Sequence, residues 1–128
     1  MINSAEEFVR LRNSNIQAEY LRASREAAPA EVWMDIIARM PEMREWVALN
    51  KTIPDEIHEI LAKDKSARVR ATLADRRQLS LHIIQILSED PDASVRARIA
   101  LNKKTPRIVI SKLALDTNPI VSEAAKRQ

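Results

Sequence analysis

The residues best equipped for chemistry are Asp64, Asp90 and Asp116 together with Arg70 and Arg96, because carboxylates and guanidinium groups serve as acids, bases and anion holders. Their spacing argues against catalysis: the three Asp lie 26 residues apart, and so do the two Arg. A catalytic centre needs one irregular constellation, whereas a charge-assisted pair that recurs with the fold is structural first. His58 and His82 are the only histidines, and they fall out of register, since His82 corresponds to position 56. They are expected to be ordinary, partly exposed side chains facing different directions, not metal ligands or general bases. The chain has no Gly and no Cys, which excludes a glycine-rich phosphate loop, a dinucleotide fingerprint, a zinc knuckle, a disulfide and a thiol nucleophile. No nucleophile, base and orienting carboxylate assemble from these residues, so the expectation is a protein that is not an enzyme and uses no metal or cofactor.

The elements that position these groups follow from the same stride. Met43, Val69, Val95 and Val121 are 26 apart, as are Val47, Leu73, Ile99 and Ala125, then Ile57, Ile83 and Val109, then Leu61, Leu87 and Leu113. Within a unit the apolar residues recur three and four apart, as in Ile57, Ile60 and Leu61, so each unit is two short helices. The pattern runs backwards with one stride of 25, matching Tyr20, Leu21 and Ala23 to Glu45, Trp46 and Ala48. Pro54 and Pro106 open helices and Ser80 caps one at the matching place. Asn50 and Asn102 follow the last core alanine of a helix and, without glycine, are the expected left-handed caps. Ser4 and Glu7 have capping-box spacing ahead of Phe8 and Leu11, which predicts a leading helix within residues 1–15 that seals the array. The last helix, rich in Lys, Arg, Glu and Gln, suits a polar cap at the other end. Ten helices are expected, near 4–12, 16–25, 30–39, 42–49, 54–63, 67–75, 80–88, 93–101, 106–115 and 118–126, in one all-α domain over 1–128 with repeats of about 26 residues from position 16.

Charge divides unevenly. Residues 1–64 hold 8 Lys and Arg against 12 Asp and Glu, a net of −4, while residues 65–128 hold 13 against 6, a net of +7. Such a dipolar chain orients a charged partner without naming it. Glu6 and Glu7 interrupt the amino-terminal segment, which therefore has no signal-peptide or transit-peptide pattern. No uncharged run approaches the roughly 18 residues of a membrane span. The expectation is a soluble, cytoplasmic protein, monomeric or in a 1:1 heterocomplex, with no membrane contact.

The units Asp64 to Val69-Arg70 and Asp90 to Val95-Arg96, with Pro54 or Pro106 opening a helix, resemble HEAT-like and variant leucine-rich repeats, over about residues 19–128. That resemblance implies a right-handed superhelical α-α solenoid. It also implies an inter-repeat ladder of Asp64, Asp90, Arg70 and Arg96, with Ser122 standing where the last Arg would be. More narrowly, the short array and the segment from Arg44 to Pro54 look similar to small HEAT-like immunity proteins of bacterial contact-dependent growth-inhibition systems. This second likeness implies a protein partner, a cognate toxin domain, in some cases a nuclease, that the chain binds and neutralises.

If the likeness holds, the second helix of each unit lines the concave face. The residues it then offers a partner are Glu42, Glu45, Trp46 and Leu49, then Arg68, Thr72 and Asp75, then Arg98, Leu101 and Asn102. Binding energy concentrates in Trp, Tyr and Arg, so Trp46 flanked by acids and Arg98 are the preferred contacts, whereas Trp33 beside Val32 belongs to the core. Packing between helices is an equal reading of Trp46. The competing hypothesis is a binder of nucleic-acid backbone, using the basic patch Arg68, Arg70, Arg76, Arg77, Arg96, Arg98, Lys103, Lys104 and Arg107, part of which the implied ladder already uses. Against it, the aromatic residues Phe8, Tyr20, Trp33 and Trp46 all lie in the other half, away from the cations they would assist.

Overall fold

The computed structural model describes all residues 1–128. It is all helical: α1 (Ala5–Arg12), α2 (Gln17–Arg25), α3 (Ala30–Arg39), a single 3-10 turn (Pro41–Met43), α4 (Arg44–Leu49), α5 (Asp55–Leu61), α6 (Ala67–Ala74), α7 (Leu81–Ser88), α8 (Ala93–Leu101), α9 (Arg107–Leu113) and α10 (Pro119–Lys126). No strand is present. The expected helices all form, with ends displaced by no more than two residues. The helix expected from position 42 begins instead as the 3-10 turn, with Pro41 at its first position.

Local chemistry sets most of these boundaries. The Ser4 hydroxyl accepts from the Glu7 amide at 3.0 Å, and the Glu7 carboxylate accepts in return from the Asn3 amide at 2.8 Å. This is a capping box whose return bond lands one residue earlier than usual. Ser66 and Ser80 cap α6 and α7 by accepting from Val69 and Ile83. Pro106 immediately precedes α9 and Pro54 immediately precedes α5; their fixed φ leads into a helical turn without needing an amide.

The chain divides into two compact units, Met1–Leu61 and Ala62–Gln128. In the first, α1 packs on α2 and α3, and α4 packs on α2, α3 and α5. Phe8 and Trp33, both fully buried, meet edge to face with ring centroids 5.5 Å apart and planes at 81°. Ile2, Leu11, Ile36 and Val47 are sealed with them, so the leading helix contributes core and not merely a lid. In the second unit α8 is central, touching α6, α7, α9 and α10. Its core is made of the repeating columns: Val69, Val95 and Val121, Leu73, Ile99 and Ala125, Ile83 and Val109, and Leu87 and Leu113 are all buried.

Two expectations need correction. Asn50 and Asn102 are not left-handed: their φ/ψ are −68°/128° and −69°/119°, and no residue in the chain has positive φ. Their side chains, described below, do the turning instead. His58, expected to be partly exposed, is only 5% exposed on α5 with Nδ1 3.5 Å from Asp55, because its position four residues after Pro54 falls on the inward side beside Ile57 and Leu61. His82 is exposed on α7, as expected.

Candidate partner-binding surfaces

Charge inside the second unit is organised as rungs. Arg70 donates from Nε and Nη2 to both oxygens of Asp90, at 2.7 and 3.2 Å, and from Nη1 to the Asp64 carbonyl at 2.6 Å. One stride later Arg96 does the same to Asp116, at 2.9 and 3.2 Å, and to the Asp90 carbonyl at 2.8 Å. The Asp64, Asp90 and Asp116 carboxylates each also accept the amide two residues on, at Ser66, Asp92 and Asn118. Each Asp thus turns the chain into the next helix while Asp90 and Asp116 hold the preceding Arg. The hydrogen bond to Asp90 raises the Arg70 pKa, and the bond from Arg96 lowers that of Asp116. The ladder expected from the resemblance is present at both positions, and Asp116 completes the second rung. Ser122, where a further Arg would start a third, bonds its own helix at the Pro119 carbonyl.

A second set of rungs, made of amides, was not anticipated. Asn50 is fully buried and donates from Nδ2 to the carbonyls of Ala23 and Glu26 at 2.8 and 3.0 Å. Its Oδ1 accepts from Thr52. Asn102 donates to the carbonyls of Ala74 and Arg76 at 2.9 and 2.7 Å and accepts from the Lys104 amide. Gln128 reaches the Ala100 carbonyl at 2.6 Å, which extends the column to the last residue. Arg76 stands at the same register position; burial pushes its pKa down. These side chains satisfy helix-end carbonyls one stride away, in place of a glycine turn.

The candidate contact residues divide between the units. In the first, Glu42 is exposed on the 3-10 turn, Glu45 and Trp46 are half-buried on α4, and Leu49 is 46% exposed. Trp46 does not offer its face freely. The Arg12 guanidinium carbon lies 3.4 Å from the Trp46 ring centroid and 5.1 Å from that of Tyr20, a cation–π cluster joining α1, α2 and α4. Arg12 lies outside the repeat, so no column in the sequence could have pointed to it.

In the second unit Arg68 is exposed and its carbonyl accepts from the Thr72 hydroxyl at 2.9 Å. Arg98 is tied to Asp75 by an exposed ion pair from α8 to the end of α6. Asn102 is occupied in its amide rung and presents little to a partner. Asp75, Arg77, Arg98, Lys103 and Lys104 line a groove of about 530 Å³. An apolar groove of about 230 Å³ runs between α8 and α10, lined by Ala97, Leu101 and Ile120 among others. Leu101 is 50% exposed and Ile120 72% exposed. Ile120 was missed because its column partners, Arg68 and Ser94, are polar and conceal it.

No group of three or more His, Cys, Asp or Glu residues is placed to hold a metal ion, and no helix is long and apolar enough to cross a membrane. Comparison with known proteins adds no relative: no family model, no curated protein and no solved structure matches the chain.

Proposed function

We propose that the chain is a non-enzymatic protein-binding module of HEAT-like repeats, most specifically an immunity protein that occludes a cognate toxin domain in the cytoplasm. The observation that carries this reading is a set of exposed apolar side chains on α4, α8 and α10, although Met34, Leu81 and Ile108 are exposed on α3, α7 and α9 as well. Leu49 on α4 and Leu101 on α8 share a register position, and Leu101 and Ile120 line one groove on α8 and α10. Large apolar side chains left outside the core beside charged residues are the usual material of protein interfaces. The rungs support the same view, since they account structurally for the buried Arg–Asp pairs that otherwise resemble chemistry. The right-handed superhelical course belongs to this reading; the repetition of the rungs at one stride within the second unit supports its repeating architecture. The mechanism is steric and electrostatic: apolar contact supplies affinity, and the charged rims select the partner and speed encounter.

The test is genetic and direct. Expressing the reading frame next to this one should arrest growth, co-expression of this chain should relieve the arrest, and the two proteins should elute as a 1:1 complex. Growth arrest unrelieved by this chain sinks the immunity reading.

A second reading, binding of nucleic-acid backbone, is favoured by the basic groove of Arg77, Arg98, Lys103 and Lys104. It requires measurable affinity for duplex DNA or RNA at physiological salt, falling steeply as salt rises through counterion release. An interface built on Leu101 and Ile120 keeps most of its affinity over the same range.

A further inference from the structure

Arg12 sits against aromatic rings, unlike the arginines that carboxylates hold. Its guanidinium packs against Trp46 and Tyr20, and its Nε is buried with no hydrogen-bond acceptor. The two Nη nitrogens bond to nothing in the chain either, although Arg10, Arg22 and Arg39 each hold a carboxylate nearby. A buried N–H without a partner destabilises the fold, and Leu or Met in the same space would fill it without that penalty. Packing against aromatic rings restrains the guanidinium plane, so the remaining donors point outward along its edge. A donor pair held in this way loses little entropy on binding, and its geometry matches the two oxygens of a carboxylate.

The surroundings favour one class of acceptor. Residues 1–61 carry 7 Lys and Arg against 11 Asp and Glu, and Glu42 and Glu45 precede Trp46 in the sequence. A polyanion is repelled by such a surface, whereas a single carboxylate set among cations complements it, charge for charge. We infer that Arg12, held by Trp46 and Tyr20, is an anchor that receives one Asp or Glu side chain of a protein partner, end-on through its Nη pair. This rests on the protein-binding reading above and names the chemistry of its contact in the first unit.

The experiment uses the isotope-labelled full chain and two blocked peptides of equal length, one with a single Asp between lysines and the other with Asn in its place, each titrated to tens of millimolar. The Arg12 Nε–H and Trp46 indole N–H resonances should shift saturably with the Asp peptide and several-fold less with the Asn peptide. Arg12→Lys, which keeps the charge but loses the fork, should abolish that discrimination. Equal response to both peptides, no response to either, or a larger response of the same resonances to a duplex oligonucleotide overturns the anchor. The comparison of peptides on the unaltered protein needs no variant, so a folding defect in Arg12→Lys leaves the decision intact. Discrimination lost while growth rescue persists removes the anchor alone; discrimination retained while rescue fails upholds the anchor and removes the immunity reading.

Discussion

Arg70 and Asp90, twenty residues apart in sequence, meet through two parallel hydrogen bonds of 2.7 and 3.2 Å, with both side chains largely withdrawn from water. The pair links the middle of α6 to the turn before α8, and the same Asp90 uses its carbonyl to receive Arg96. One residue therefore belongs to two successive rungs. Removing its carboxylate leaves a largely buried guanidinium without its counter-ion. Asp90→Ala should cost about 3 kcal/mol, the low end for breaking a buried pair. Urea denaturation checks this, and Arg70→Met in the same chain should recover part of the loss.

Asn50 and Asn102 distinguish two ways of ending a helix without glycine. At a left-handed cap, Gly would be neutral or stabilising. Here Asn50→Gly removes bonds to the Ala23 and Glu26 carbonyls and to Thr52, and leaves buried acceptors unmatched. It should destabilise by about 1–3 kcal/mol, read as a lower denaturation midpoint at constant slope.

The apolar columns and the exposed apolar residues should respond differently to truncation. Leu87 is fully buried, so Leu87→Ala should cost about 2–5 kcal/mol. Leu101 is half exposed, and Leu101→Ala should change stability by no more than about 0.5 kcal/mol. Its effect should appear as weaker partner binding. Thermal unfolding measures the first difference and calorimetric titration with the purified partner the second.

Acid should loosen the amino-terminal end. The Glu26 carboxylate is held at about 2, below its ordinary 4.5, first by hydrogen bonding to Arg22 and then by the terminal ammonium of Met1. A depressed carboxylate pKa contributes stability that is complete above 4.5 and declines as pH falls from there toward 2. Glu26→Gln should flatten the dependence of Tm on pH across that window and leave it unchanged at neutrality relative to the variant's own plateau. An identical acid slope in both proteins would refute the assignment.

The helices were legible because their signals are local. Apolar residues three and four apart, Pro before a first turn, and Ser4 and Ser80 at caps act within one or two turns of chain, and the structure places every helix within two residues of the expectation. The Arg–Asp ladder was legible because a repeat prints it again at a constant stride. Asn102 misled because its partner, the Ala74 carbonyl, is 28 residues away. An Asn that adopts positive φ and an Asn that reaches a distant carbonyl look the same in sequence. His58 misled because burial depends on which side of α5 faces its neighbours.

The candidate surface shows the same division. Trp46 could be named from residue type alone, but its availability could not. Arg12 covers it from a helix outside the repeat, at a separation of 34 residues that no period contains. Arg98 could be named too, yet its ion pair with Asp75 sets how much of it a partner finds.

What this chain determined by itself, before any folding in three dimensions is considered, is its helical class, the number and limits of its helices, and the recurrence of its apolar and charged columns. Those depend on backbone preference and side-chain periodicity over a few residues. Tertiary structure alone decided which polar groups are consumed in holding helices together and which face outward: Asn50 and Asn102 inward to carbonyls, Arg12 onto two rings, Leu101 and Ile120 into an open groove. That outcome depends on distances between residues far apart in the chain, and packing, not local propensity, sets those distances.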